Sequence, residues 1–168
     1  ANRQHMWRAI SQFKPQPAAF PVYVDPQGAH YHHPLDWSLV KQLKEAVISY
    51  GPQASYTVSL IETLGQSAMT PDDWEHLCKA TLSGGQFLIW KAAWHEFSQE
   101  TARANLQAGN AAWNFFMLTG QGQYAGYQNQ LNYNLAVYQQ VAMAALKAWK
   151  LITPQGETQG QLSKIVQG

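Results

Sequence analysis

Two helix starts follow one another closely in residues 70–109, and this arrangement constrains the fold more than any other feature. Thr70 is a good N-cap, and Pro71 suits the first helical position because an N–H there would have no intrahelical partner. Asp72 and Asp73 come next, in the first turn, where the positive end of the helix dipole favours carboxylates. The sequence therefore predicts a helix that begins at Pro71 with two acids in its first turn.

Large aromatic residues at helical spacing follow both starts. The face of the first helix at i, i+3, i+4 and i+7 carries Trp74, Leu77, Cys78 and Thr81. Ser83-Gly84-Gly85 ends this helix and caps a second one, whose inner side is predicted to carry Phe87, Trp90, Trp94, Phe97 and Thr101, with Ala93 and Ala104 as small fillers. Rings of this size imply a substantial core against which other helices pack.

The run Leu82-Ser83-Gly84-Gly85-Gln86 also matches the signature of ABC-type ATPases. That interpretation needs a Walker A loop and strands that alternate with helices, but the sequence has no Gly-Lys pair and no such alternation. Asp72 and Asp73 are the only paired carboxylates. Because adjacent helical side chains point about 100° apart, these two cannot share one proton in a cleft as a catalytic pair would. We therefore interpret the run as a helix cap and predict no enzymatic activity, no catalytic residue and no cofactor.

The rest of the chain predicts a small hairpin and further helices. Residues 20–24 alternate like a strand, Asp25-Pro26-Gln27-Gly28 is typical of a turn, and residues 29–33 return. Helices are predicted at about 36–50, 55–64, 113–118 and 134–152, with residues 105–110 loosening and residues 124–130 of uncertain form. Their expected inner faces are Leu39, Leu43, Ala46, Val47 and Tyr50; then Tyr56, Leu60, Ile61 and Leu64; then Tyr138, Val141, Ala142, Ala145, Trp149 and Ile152. The fold class is all-α, an irregular bundle of six to seven helices with an N-terminal β-hairpin.

Composition narrows the classes of partner. Only 12% of residues are charged and the net charge is +1, which argues against direct nucleic-acid binding because phosphate contacts need clustered Lys and Arg. No apolar run is long enough to cross a bilayer, and no signal peptide is apparent. The single cysteine, Cys78, is interpreted as a buried, inert thiol, which fits a reducing compartment.

Histidines offer the only pattern that resembles a metal site. His30 and His32 share one face of the predicted strand, next to His33, but a zinc site would need one or two further ligands. His76 and His95 lie on different helices and form no H-E-x-x-H motif. We therefore predict no metal site, with the hairpin histidines on a polar face.

Several short motifs occur in one order along residues 20–168. They are Phe20-Pro21-Val22, Tyr50-Gly51-Pro52, Thr70-Pro71-Asp72-Asp73-Trp74, the LSGGQ run followed by Phe87, Ala148-Trp149-Lys150 and Ile165-Val166-Gln167-Gly168. In this order the chain resembles the N-terminal domain of the retroviral Gag capsid protein, above all the betaretrovirus-like and related endogenous branch. The resemblance implies a structural protein.

The resemblance also implies a maturation site. In that family the capsid is released by cleavage just before a proline, and the freed amine forms a salt bridge with an acid at the start of the third helix. The matching cleavage site is Phe20–Pro21, and the matching salt bridge joins Pro21 to Asp73. Because twenty residues precede Pro21, its nitrogen is an uncharged amide, and the chain is expected to be in the uncleaved, immature-like form with the hairpin disordered or absent.

The resemblance implies three segments: an upstream Gag leader at 1–20, the capsid N-terminal domain at 21–152, and a linker at 153–168. Ile165-Val166-Gln167-Gly168 matches the opening of the family's C-terminal capsid domain, which is the half that dimerises. Because the sequence stops at Gly168, we expect a mainly monomeric domain in dilute solution. The expected role is the assembly of hexamers and pentamers of a core shell. The expected locations are the virion core and, during assembly, the host cytoplasm.

Self-association, the viral protease and host capsid-binding factors are the implied partners. One hypothesis is that Lys41 or Lys44, on the first helix, lines a central pore and binds a polyanion. The alternative is that both lie on an ordinary solvated helix face. A domesticated Gag-derived host protein, acting as a restriction factor, is an alternative function. A helical adaptor that binds a peptide in a groove is another.

Overall fold

The computed structural model describes residues 22–24, 30–32 and 37–154. The first two segments form strands β1, Val22–Val24, and β2, His30–His32, which pair antiparallel with Val22 opposite His32. They lie where the sequence predicts the hairpin, and they pair in the chain that still carries residues 1–20, contrary to the expectation that the hairpin is disordered or absent in the uncleaved form. The predicted turn at 25–28 lies outside the described residues.

In residues 37–154 the chain is mostly helical, which confirms the predicted all-α class. The α-helices are α1, Trp37–Tyr50; α2, Ser55–Leu64; α3, Pro71–Thr81; α4, Gly84–Gln107; α5, Phe115–Thr119; and α6, Leu135–Trp149. Two 3-10 turns, Gly122–Tyr124 and Tyr127–Gln130, occupy the segment that the sequence left uncertain.

The core is built around tryptophans on α3, α4 and α6. Trp74, Trp90, Trp94 and Trp149 are all buried, at most 1% exposed. Trp90 stacks on Trp94 with ring centroids 4.9 Å apart, and its indole Nε1 donates a hydrogen bond of 3.0 Å to the carbonyl of Ala145. This bond joins α4 to α6 and satisfies a polar atom that would otherwise be costly to bury.

Two tyrosines that the sequence placed inside are outside. Tyr50 is 66% exposed and Tyr56 is 51% exposed, and their rings meet edge to face with centroids 6.0 Å apart. Val40 and Thr57, at 2% and 0% exposure, take inner positions instead. The prediction was wrong because a tyrosine suits either side of a helix, and only the packed neighbours decide which residues complete the stripe.

The end of α4 also differs from the prediction. The helix continues to Gln107 instead of loosening at Asn105, and Ala104 is exposed while Asn105 is 5% exposed. The amide of Asn105 donates to Gln140 Oε1 at 2.8 Å and to the carbonyl of Trp113 at 3.0 Å, and its oxygen accepts from Gln140 Nε2 at 2.9 Å. These bonds make a polar residue favourable at a buried helical position.

The turn between α1 and α2 holds the end of α6. Gln53 Nε2 donates to the carbonyls of Trp149 and Ile152 at 2.7 and 2.9 Å, and Trp149 Nε1 donates to the carbonyl of Pro52 at 2.9 Å. The last carbonyls of a helix lack intrahelical hydrogen-bond donors, and here the side chain of Gln53 is the donor. Ile152, at 2% exposure, is the last core residue of the described chain.

Candidate functional site at the start of helix α3

The predicted acid pair lies at a closed capping box. Thr70 N donates to Asp73 Oδ2 at 3.0 Å, and Asp73 N donates to Thr70 Oγ1 at 3.1 Å. Thr70 is 0% exposed and Asp73 is 2% exposed. The sequence predicted the cap and the helix start, and both are confirmed.

The remaining donors of the first turn are also accounted for. Pro71 has no N–H, and Trp74 N already makes the first intrahelical bond to the carbonyl of Thr70. Asp72 N donates at 3.1 Å to Oε1 of Gln130, a residue 58 positions away. The start of α3 is therefore satisfied partly by its own box and partly by a distant side chain.

Gln130 is fully buried beside this start. Its Nε2 donates to the carbonyl of Tyr124 at 2.8 Å, and its own carbonyl accepts a hydrogen bond from the hydroxyl of Tyr138. Nothing in the local sequence marks Gln130, because its partners on α3 and α6 come together only in the folded chain. The one signal in the sequence is its place in an amide-rich run between glycines and tyrosines.

Two tyrosines line the same region. Burial raises the pKa of Tyr133 and of Tyr138, and the negative charge of Asp73 adds to the rise in the pKa of Tyr138. The Tyr133 hydroxyl donates to the carbonyl of Met117 at 2.6 Å, and the two rings stack with centroids 5.4 Å apart. Both hydroxyls therefore stay protonated and act as hydrogen-bond donors near neutral pH.

The other half of the predicted salt bridge, Pro21, lies outside the described residues, and so does Phe20. Its neighbour Val22 is the first residue of β1. The pairing of Pro21 with Asp73 and the cleavage site at Phe20–Pro21 therefore stay predictions.

Lys41 and Lys44 are exposed on α1. Lys44 lies at the edge of a cavity of about 390 Å³, which is also lined by Val47, Ile48, Thr81, Leu82, Ser83 and Gln86. The structure therefore places Lys44 beside Ser83 and Gln86, the residues that cap α4. The polyanion hypothesis stays a prediction.

The Cys78 thiol and the His95 ring both lie among packed side chains that shift their pKa values. Burial raises the pKa of the Cys78 thiol well above its usual range, with a further contribution from Glu75, so the thiol stays protonated. Burial lowers the pKa of His95, whose ring lies against Trp94 and Phe115 with centroids 5.3 and 5.6 Å away. Lys91 lowers that pKa further, while Glu75 opposes the shift.

Within the described residues, no group of three or more His, Cys, Asp or Glu is placed to hold a metal ion. His30, His32 and His33 belong to the part of the chain for which no side chains are described. Among the described helices, none combines the length and apolar character that a membrane span requires.

Comparison with known proteins identifies the fold's relatives. The gag protein p24 N-terminal domain family matches residues 31–156. The Gag polyprotein of Simian retrovirus SRV-1 is 40% identical over 153 residues, and that of Mason-Pfizer monkey virus is 39% identical over 153 residues. The Gag-related polyprotein of mouse intracisternal A-particle MIA14 is 40% identical over 154 residues.

These matches cover 89% of this chain but only 18% of the MIA14 polyprotein and 23% of the other two. The chain thus spans less than a quarter of the length of these relatives. The matched region contains the capping box of α3, a second capping box that Ser83 and Gln86 form at the start of α4, the tryptophan core and the buried acid at the start of α3. The chain belongs to the gag protein p24 N-terminal domain family, the structural capsid region of betaretroviral Gag proteins.

Proposed function

We propose that this domain assembles with copies of itself into the hexamers and pentamers of a retroviral core shell, and that residues 1–168 represent its uncleaved, immature-like form. Membership of a structural Gag family supports a role without enzymatic activity. Individually weak contacts are enough for this role, because a closed lattice multiplies them. The proposed locations are the virion core and, before that, the cytoplasm of the assembling host cell.

The proposed switch is a change of charge at Pro21. Cleavage by the viral protease between Phe20 and Pro21 converts a neutral amide nitrogen into a prolyl ammonium. The ammonium folds back with the hairpin and pairs with the Asp73 carboxylate. Burying such a charge is unfavourable unless a partner of opposite charge is already placed.

The buried carboxylate of Asp73 is the observation that carries this proposal. It is 2% exposed, and its geometry is held by two reciprocal bonds to Thr70. A carboxylate held in place loses little conformational entropy when it binds a cation. Strand β1 begins at Val22, directly after the proposed new terminus, which supports a hairpin that carries the amine.

The proposed domain limits follow from the same account. Residues 1–20 form the leader that is removed, residues 21–152 form the capsid N-terminal domain, and residues 153–168 form the linker. The burial of Ile152 and the bonds from Gln53 to the end of α6 support a limit near residue 152.

Amide NMR tests the switch on the full chain and on the chain prepared with Pro21 as its first residue. We expect the amides of the hairpin, whose strands already pair in the full chain, to gain protection against exchange in the trimmed form. Asp73→Asn, which keeps an acceptor for Thr70 N but removes the charge, should prevent this gain. Identical hairpin signals in the full, trimmed and Asp73→Asn forms would contradict the switch.

Electron microscopy tests the assembly. The protein extended through its C-terminal capsid domain should form tubes or spheres at high salt. The same preparation with Asp73→Asn should give a different ratio of curved to irregular products. An extended, trimmed protein that forms no ordered array under crowding or high salt would count against the shell.

Lys41 and Lys44 are proposed as a ring of positive charge in the assembled hexamer. Both are exposed and separated by three positions on α1, so they share one helix face. Inositol hexakisphosphate should raise the melting temperature of assembled protein, and Lys41→Gln with Lys44→Gln should abolish that rise. Lys79→Gln, an exposed lysine on α3, is the matched control; an equal loss in the control would point to general charge effects.

A further inference from the structure

We propose that Gln130 is the positioning residue of the acid site, and that the segment from Gly120 to Tyr133 is thereby coupled to the state of Asp73. This inference rests on the proposed function, since it concerns the same carboxylate. It adds a regulatory connection between the start of α3 and a segment about fifty residues further along the chain.

The first step of the argument is the inventory of donors at the start of α3. Thr70 N and Asp73 N are satisfied within the box, and Pro71 has no N–H. The N–H of Asp72 is satisfied by Gln130 Oε1 at 3.1 Å. Gln130 therefore completes the first turn, and without it the donor adjacent to Asp73 would lose its protein acceptor.

The second step is the rigidity of Gln130 itself. Its side chain is fully buried and is fixed at both ends of the amide, by Asp72 N and by the carbonyl of Tyr124. Its backbone carbonyl is held by the hydroxyl of Tyr138 on α6. A residue fixed at both polar atoms of its side chain and at its backbone carbonyl transmits the position of its segment to the helix it contacts.

The third step is the tight space around the amide. A Cβ on Gly120 would overlap Gln130 Nε2 and would lie 3.1 Å from Cβ of Pro71. Gly120 also has a φ of +70°, where a side chain would be strained. The absence of a side chain at Gly120 thus allows α5, Gln130 and the start of α3 to meet at one point.

Coupling of this kind is reciprocal. If Gln130 holds the carboxylate in the geometry that an ammonium requires, then pairing of the ammonium must in turn tighten Gln130. In the wild-type protein, trimming to Pro21 should therefore slow hydrogen exchange at Asp72 N by about fivefold or more, the lower range of typical coupling between sites.

The test compares three variants with wild type and Asp73→Asn, all in the trimmed protein. Gln130→Met keeps the length and volume of the side chain but removes both polar atoms. Gln128→Met makes the same change at an exposed position of the same 3-10 turn. Tyr133→Phe removes a different buried bond of the segment, to Met117, and so matches a loss of stability without touching the Gln130 amide.

The readout is the pKa of the prolyl amine, measured by NMR titration together with the hairpin amides. Gln130→Met should lower that pKa towards the value in Asp73→Asn and weaken the hairpin signals. Gln128→Met and Tyr133→Phe should leave the amine pKa at the wild-type value, even if Tyr133→Phe lowers stability. If Gln130 had only a structural role, Gln130→Met and Tyr133→Phe would have the same effect on the amine pKa and on the hairpin signals.

An unchanged amine pKa in Gln130→Met, with wild type and Asp73→Asn still different, would overturn the role of Gln130 and leave the switch standing. No difference between wild type and Asp73→Asn would overturn the switch itself. If Gln130→Met does not fold, exchange at Asp72 N in the wild-type protein decides: no slowing on trimming would overturn the coupling.

Discussion

The two capping boxes that start α3 and α4 have nearly the same geometry but differ in the charge of the side chain at the third helical position. In α3, Thr70 and Asp73 exchange bonds of 3.0 and 3.1 Å; in α4, Ser83 and Gln86 exchange bonds of 3.0 and 3.2 Å. Asp73 and Gln86 are similarly buried, at 2% and 3% exposure. One box uses a carboxylate, and the other uses a neutral amide.

The comparison teaches that capping alone does not require a charge at this position. Gln86 satisfies the N–H of Ser83 as well as Asp73 satisfies that of Thr70, without the cost of burying an anion. The α4 box is also open to water at Ser83, whereas Thr70 is fully buried. The switch proposal gives the charge at the start of α3 a role, and the α4 box, where Gln86 Nε2 also donates to the carbonyl of Thr153 at 3.4 Å, is its neutral counterpart.

The largest expected difference between the boxes is in the cost of removing the acceptor. Asp73→Ala leaves the N–H of buried Thr70 without its partner, and we expect a loss of about 2–3 kcal/mol in the free energy of unfolding. Gln86→Ala leaves the N–H of Ser83, which water can reach, and we expect about 1 kcal/mol. Urea unfolding of both variants measures this; equal losses would show that exposure of the N-cap is irrelevant.

Exchanging the charge between the boxes should have a smaller effect. Asp73→Asn keeps an acceptor and should cost about 1 kcal/mol or less in the full chain. Gln86→Glu buries a new carboxylate, and the helix dipole offsets only part of that cost, so we expect a loss of about 1 kcal/mol at neutral pH.

The pH dependence of Gln86→Glu provides its check. Burial raises the pKa of a carboxyl group, so the penalty is present at neutral pH and disappears as the group becomes protonated in acid. Thermal unfolding at several pH values measures this. A Gln86→Glu protein that is more stable than wild type at neutral pH would mean that a buried charge is favourable for capping alone.

The thiol of Cys78 reports the opening of α3 directly. Because it is fully buried and its pKa is raised, native protein should react very slowly with Ellman's reagent, and the rate should follow the population of open molecules. Asp73→Ala should raise that rate more than Gln86→Ala does. Rate increases that match each variant's loss of global stability would indicate that Cys78 is exposed only by global unfolding.

The smallest expected effect is the acid sensitivity that His95 adds to α4. Burial lowers the pKa of His95 below its ordinary 6.5, so the folded protein binds this proton less readily than the unfolded chain. Stability is therefore full above that ordinary value and falls as the pH drops through it towards the lower pKa of the folded state. His95→Gln should flatten unfolding free energies between neutral and mildly acidic pH, and an unchanged slope would contradict this.

The predictability of these regions depends on the distance between partners along the chain. Propensity and spacing were enough to predict the N-caps Thr70 and Ser83 and the periodic buried stripe of α3, although the reciprocal bonds of the two boxes were not predicted from the sequence. The last helix was predicted from its apolar stripe, on which Val141, Ala145 and Trp149 recur, and the structure shows that Asn134 caps its start. Tyr50 and Tyr56 were placed wrongly because their exposure depends on which neighbours fill the core.

The candidate site shows the same division more sharply. Asp73 was recognised from the motif around it, but Gln130 was not, because the bond that gives it meaning closes a loop of 58 positions. Lys41 and Lys44 were correctly expected on an outer helix face, yet nothing in the sequence relates that face to the acid site.

Local chemistry determined the helix starts, the inner stripes of α3 and α6, and the presence of a carboxylate in the first turn of α3. Tertiary structure decided that Thr70 and Asp73 are buried, that Gln130 completes their helix start, and that Gln53 holds the end of α6. The physical reason is the range of the interactions. A cap is a bond between near neighbours that the backbone already brings together, whereas burial and long-range bonds exist only after the whole core has packed.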